Sequence, residues 1–147
     1  MSKIIPTISS GTAGPLKVLH LPRLWMKVAL DIAGKLPGDY PAIGAGFDQM
    51  TLDALEIDKE KFRRFMEENR PGYVELENWI LEQRGGRLDP EKIEKHNAAV
   101  TGYQHDENTR KEILEGVGRP DDGTVLDAVS LNNLDDWAAF HKRELQA

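Results

Sequence analysis

Apolar side chains recur three and four positions apart along most of the chain, the spacing that places them on one face of an α-helix. Leu24, Trp25, Val28, Ala29 and Ile32 form the first stripe. Pro22 suits its first turn and Gly34 its end, because proline needs no amide bond there and glycine takes the left-handed stop without strain. Leu36 to Gly46 holds two prolines and three glycines, which predicts an ordered loop before a short helix from about Phe47 to Leu55. Asp58 is placed to cap a third helix, with Ile57 and Phe62 stapled across its first turn and Asn69, Arg70, Pro71 and Gly72 ending it. A fourth helix is expected from about Tyr73 to Gln83, stopped by Gly85 and Gly86. Asp89 before Pro90 starts a fifth that reaches roughly Gly102, and Asp106 starts a sixth ending at Gly116 or Gly118. Val125 to Val129 reads as one helical turn or as a short extended piece. The last helix is expected from about Leu134 to Leu145, with Asn133 as cap and Asp135 and Asp136 complementing its dipole on the solvent side, away from the apolar face of Trp137.

No useful length of chain alternates with period two, so the fold class is all-α. The expected architecture is an irregular bundle of six or seven short helices without an internal repeat. Met1 to Pro15 is aperiodic and rich in Ser, Thr, Gly and Pro, which predicts a mobile arm outside the core, residues 16–147 forming a single helical domain.

Composition narrows the chemistry more than the architecture. The chain has 147 residues, 39% of them hydrophobic, no cysteine and a formal charge of −6. The missing cysteines exclude disulfides, thiolate metal sites and cysteine nucleophiles. Negative charge without a Lys/Arg block argues against a nucleic-acid partner. No apolar run approaches the roughly 20 residues that a membrane span needs. The start has no apolar block of signal-peptide length, so a cytoplasmic location is expected.

Helical-wheel placement asks which ionisable groups fall among apolar ones, since a buried charge must be paired. Glu77 falls inside the arc of Tyr73, Val74, Ile80 and Leu81, and Arg110 falls among Ile113, Leu114 and Val117. His96 lies beside Ile93 and Val100. His141 falls among Leu134, Trp137, Ala138 and Leu145. These four are expected to face the interior. Three readings are open: Glu77 and Arg110 form a structural ion pair with each histidine bonded to backbone; a polar pocket uses Arg110 to hold an anion while Glu77 or a histidine exchanges a proton; or the groups are exposed at helix ends and the wheel placement does not apply. His20, just ahead of the first helix, fits either loop packing or the wall of a site. Arg23 and Lys27 fall on the polar side of the first helix and are expected in solvent, with Trp25 in the core.

Several motifs fail their spacing tests. No histidine has a glutamate three residues before it, so a helix-borne metal site is not expected, and no cofactor is implied. Gly44, Ala45, Gly46, Phe47, Asp48 is no phosphate loop, although it sets glycines ahead of a helix N-terminus where Asp48 already serves the dipole. Only Ser2, Ser9, Ser10 and Ser130 are serines, and three of them lie in the arm, which speaks against a serine nucleophile.

Leu19 to Trp25 with Lys27, then Gly46 to Met50, and finally Leu131 to Trp137 together resemble a family of small bacterial proteins described as a domain of unknown function. The resemblance runs from about Gly14 to His141. It implies a stand-alone bacterial domain and supplies no activity or cofactor. The function expected from the residues is binding of a small polar or anionic ligand in a pocket of Glu77, His96, Arg110, His141 and His20, with Arg110 as anchor. The alternative is a protein-interaction or scaffold module whose polar core groups are structural and whose partner meets the loop Leu36 to Gly46, the arm, or exposed aromatics such as Tyr40. The protein partner is unknown in either case.

Overall fold

The computed structural model describes residues 2–146, and Met1, the first residue of the expected arm, lies outside them. Seven helices occupy the described residues: α1 (Leu21–Ile32), α2 (Phe47–Leu55), α3 (Lys59–Asn69), α4 (Tyr73–Gln83), α5 (Pro90–Gly102), α6 (Glu107–Gly116) and α7 (Ala128–Leu145). The fold is all-α. An isolated bridge between Gln104 and Asp127 ties the segment after α5 to the start of α7. No helix of the described residues is long and apolar enough to cross a membrane.

Capping chemistry explains where most helices begin. Asp58, Asp89 and Asp106 each accept a backbone N–H from the first turn of the helix they precede, satisfying amides that have no partner within the helix. The core is built from Val18, Leu21, Leu24, Val28, Leu52, Leu55, Phe62, Met66, Leu76 and Ile80, with Ile57 and Ile93 at its edge. α1 runs through the centre and packs on α2, α3 and α4, while α2 lies on α5, and α6 lies on α7.

Residues 2–15 carry no helix but are joined to the core they were expected to leave. Ile5 and Ser10 are buried. The Ile4 amide donates to the Lys35 carbonyl at 2.8 Å, and the Arg23 guanidinium takes the Pro6 and Ile8 carbonyls at 2.8 and 3.1 Å. A buried cation needs such acceptors, and an aperiodic strand of backbone supplies them.

α7 departs from expectation at both its start and its rotation. It begins six residues earlier than Leu134, at Ala128, and its cap is Asp127, whose side chain accepts from the Ser130 amide at 2.9 Å. Asn133 therefore lies inside the helix. Asp136, expected to face solvent, is 3% exposed, whereas Trp137 is 55% exposed. The rotation that brings Asp136 onto Arg23 turns the Leu134, Trp137 and His141 stripe outward, so His141 is exposed rather than interior.

Candidate functional site

A cleft of about 420 Å³ is walled by the N-terminal segment, the start of α1, the loop before α2, α2 itself, the segment after α5, and the first turns of α7. Its floor is polar. His20, Arg23 and Lys27 come from the start of α1 at spacings of three and four, so one face of the helix carries all three. Asp48, in the first turn of α2, gathers two of them: its Oδ1 lies 2.5 Å from His20 Nε2 and its Oδ2 lies 2.5 Å from Lys27 Nζ. The Gly44 amide donates to the same Oδ2 at 2.7 Å. Arg23 turns to the other side, pairing with Asp136 at 2.6 and 3.3 Å, and Tyr40 donates its hydroxyl to Asp136 Oδ1 at 2.9 Å.

Every one of these charges is buried and opposed by another, as a low-dielectric interior demands. Burial pushes the Asp48 carboxyl up, but the hydrogen bond from His20 and the charge of Lys27 outweigh it and hold the group below the usual carboxylate range. Burial lowers His20, against the opposing pull of Asp48, so its ring is neutral at neutral pH. The ring nitrogen facing the carboxylate then carries the proton. His20 Nδ1 is left as an acceptor, and the Ser10 hydroxyl meets it at 2.9 Å. Burial and the neighbouring Asp136 push the Tyr40 phenol up, keeping it a donor.

Local backbone holds this arrangement in place. His20 is the residue before α1 and has φ 74°, left-handed for a non-glycine side chain, which costs on the order of 1–3 kcal/mol unless the surroundings impose it. The surroundings do so through α5. Asn97 accepts the Leu19 amide at 3.0 Å and donates to the Lys17 carbonyl at 2.8 Å, and His96 Nε2 donates to the Leu19 carbonyl at 2.9 Å. On the other side the His20 amide donates to the Thr12 carbonyl at 3.1 Å.

Above the floor the walls are largely apolar, formed by Phe47, Met50, Pro41 and Tyr103. Phe47 stands edge-on to both His20 and Tyr103, with ring centres 5.5 and 5.6 Å apart. His105 and Asn132 complete the mouth, joined by a 2.9 Å bond between His105 Nε2 and Asn132 Oδ1. The N-cap of α2 is Gly46, which has no capping side chain, so the first-turn amides of that helix border the cleft without one.

Of the five residues singled out from the sequence, His20 lines this cleft and Glu77, His96, Arg110 and His141 do not. His20 forms part of the floor. Glu77 is buried elsewhere, accepting from the Tyr73 hydroxyl at 2.7 Å and the Leu16 amide at 3.2 Å. Gly14 packs so closely there that an added Cβ would lie 2.7 Å from the Glu77 carboxylate. Arg110 does not meet Glu77; it makes a two-pronged pair with Asp121 at 2.9 and 3.1 Å on the surface of α6. Eleven residues of separation across a turn brought a nearer carboxylate within reach than the one the wheel suggested. His96 is buried as a support for residues 17–19, with Nδ1 lacking a partner among the described residues and burial lowering its pKa. His141 lies in a separate groove between the end of α6 and α7. Tyr40 is half-buried and engaged with Asp136 rather than free for a partner.

Residues missed from the sequence are Ser10, Arg23, Lys27, Asp48, His105 and Asn132. One signal was present: basic side chains at positions 20, 23 and 27 form a polar stripe flanked by Leu21, Leu24 and Val28, all of which are fully buried. On a central helix that has neighbours on several sides, a polar stripe points at something other than water.

The family described as Domain of unknown function (DUF5069) matches residues 16–135. The chain belongs to that family. No curated protein matches the sequence. The DUF5069 span contains His20, Arg23, Lys27, Asp48, His105 and Asn132, and it leaves Ser10 and Asp136 just outside its two ends.

Proposed function

We propose that this DUF5069 protein binds a small molecule with an apolar, planar body and a polar or anionic end in the cleft over His20 and Asp48. One observation carries the reading: four buried ionisable side chains, His20, Arg23, Lys27 and Asp48, line a single cleft of about 420 Å³. That volume lies in the range of roughly 300–1,000 Å³ typical of small-molecule sites, which combine apolar walls with a few converging polar groups. Phe47, Tyr103 and Met50 would take the apolar body. The uncapped amides of α2, with Asn132 and His105, would take the polar end, since a helix N-terminus favours negative charge. Arg110 and His141, on the surface of other helices, have no part in this reading.

Differential scanning fluorimetry against a metabolite library that includes benzoate and phenyl phosphate tests it. A ligand at 100 times its Kd stabilises by about 2.7 kcal/mol. Ala45→Trp, at the exposed rim of the cleft, should abolish the rise in Tm without touching the buried charges. If nothing in the library raises Tm, or if Ala45→Trp leaves the rise unchanged, the reading is wrong.

A second reading rests on a different observation. The outward face of α7 carries Trp137, Phe140 and Leu145, large apolar groups left in solvent. In that reading the protein is an interaction module and its buried charges only specify the fold. Sedimentation equilibrium of wild type and Trp137→Ser distinguishes the two, because self-association through α7 should vanish in the variant.

A further inference from the structure

We propose that Ser10 is a nucleophile activated by His20 and Asp48, and that its substrate is a small carboxylic ester whose acyl group lies against Phe47, Met50 and Tyr103. The inference rests on the ligand-binding reading above, because it uses the same cleft.

The geometry has the three parts that nucleophilic catalysis requires: a hydroxyl, a base within hydrogen-bond reach, and a group that orients the base. Ser10 Oγ lies 2.9 Å from His20 Nδ1, and His20 Nε2 lies 2.5 Å from Asp48 Oδ1. The carboxylate draws the ring proton to Nε2, so Nδ1 holds a lone pair and the Ser10 hydroxyl must donate to it. The two ring nitrogens exchange the roles they have in the serine-protease triad, but the chemistry asks only that the basic nitrogen face the hydroxyl and the protonated one face the carboxylate. Lys27 and the Gly44 amide hold the second carboxylate oxygen, which fixes the plane of Asp48 and therefore that of the ring. Ser10 sits in a tight turn closed by the bond from the Thr12 amide to the Ser9 carbonyl at 3.1 Å, and it lines the cleft.

The reaction balances with water as the second reactant. Ser10 Oγ bonds to the ester carbonyl carbon while its proton passes to His20 Nδ1, and the carbonyl oxygen takes negative charge beside the first-turn amides of α2. The bond to the alcohol oxygen breaks as His20 returns the proton to it. A water oxygen then bonds to the acyl carbon as its proton passes to His20 Nδ1, the bond from that carbon to Ser10 Oγ breaks as His20 returns the proton to Oγ, and the carboxylic acid leaves. One ester and one water give one acid and one alcohol.

The full chain treated with a fluorophosphonate probe, followed by peptide mapping, tests the assignment. One equivalent of label is expected on Ser10, with none gained by Ser10→Ala that keeps the wild-type circular dichroism spectrum. Mixing with p-nitrophenyl acetate should release a burst of one equivalent of nitrophenol, lost in the same variant. No label on Ser10 of folded wild type overturns the assignment, as does a hydrolysis rate that Ser10→Ala leaves unchanged. Absence of label with an intact ligand-induced rise in Tm overturns the nucleophile alone; absence of both removes the binding reading as well.

Discussion

Replacing Asp136 by alanine separates what the wheel of α7 suggests from what the packed structure requires. From the sequence, Asp136 is a first-turn surface residue, and such substitutions change stability by no more than about 0.5 kcal/mol. In the fold it accepts two bonds from Arg23 and one from Tyr40, and both partners lose this acceptor together. Removing one member of a buried pair costs about 3–5 kcal/mol, because the other charge stays behind without compensation. Arg23 keeps the Pro6 and Ile8 carbonyls, which places the cost at the lower end, about 3 kcal/mol. For a chain of this size about 1 kcal/mol moves Tm by roughly 2–4 °C, so Asp136→Ala should melt about 6–12 °C below wild type. Urea denaturation followed by circular dichroism gives the free energy directly. The double variant Arg23→Met with Asp136→Leu removes both charges and should recover most of the loss, since a well-packed apolar pair often equals a buried ion pair. A single variant within 0.5 kcal/mol of wild type would refute the reasoning. So would a double variant less stable than the single one.

Two further outcomes follow from the same geometry. Asp127→Ala should cost about 1 kcal/mol by removing the cap of α7, whereas Asn133→Ala should show no capping loss; urea midpoints that reverse this order would return the helix start to Leu134. Stability should fall as pH drops from 7 to 5, because burial lowers both His20 and His96 and the unfolded chain therefore binds more protons below its histidine pKa of about 6.5. Each ring contributes at most about 1.4 kcal/mol per pH unit between that value and its folded one. Asp48, depressed in the fold, adds a separate loss below about pH 4. His96→Gln should flatten the slope between pH 7 and 5, and an unchanged slope would show that its ring does not carry the effect.

Local signals decided most of this protein's helices. Asp58, Asp89 and Asp106 cap their neighbours through bonds that span two or three residues, so the information lies within one turn and can be read from the chain. The apolar stripe of α1 likewise identifies the central helix, because Leu24 and Val28 repeat at the spacing that buries them together. α7 shows where such reading ends. Its rotation is set by a bond between Asp136 and Arg23, which lie 113 positions apart, and no window along the chain contains both. The site depends on the same kind of pairing: Ser10, His20 and Asp48 come from three segments that only the packing of α1 on α2 and the clamp from α5 bring into line. A wheel reports which way a side chain leaves its own helix. Whether it meets water, carboxylate or imidazole is a property of the neighbours, and those are chosen by the core as a whole.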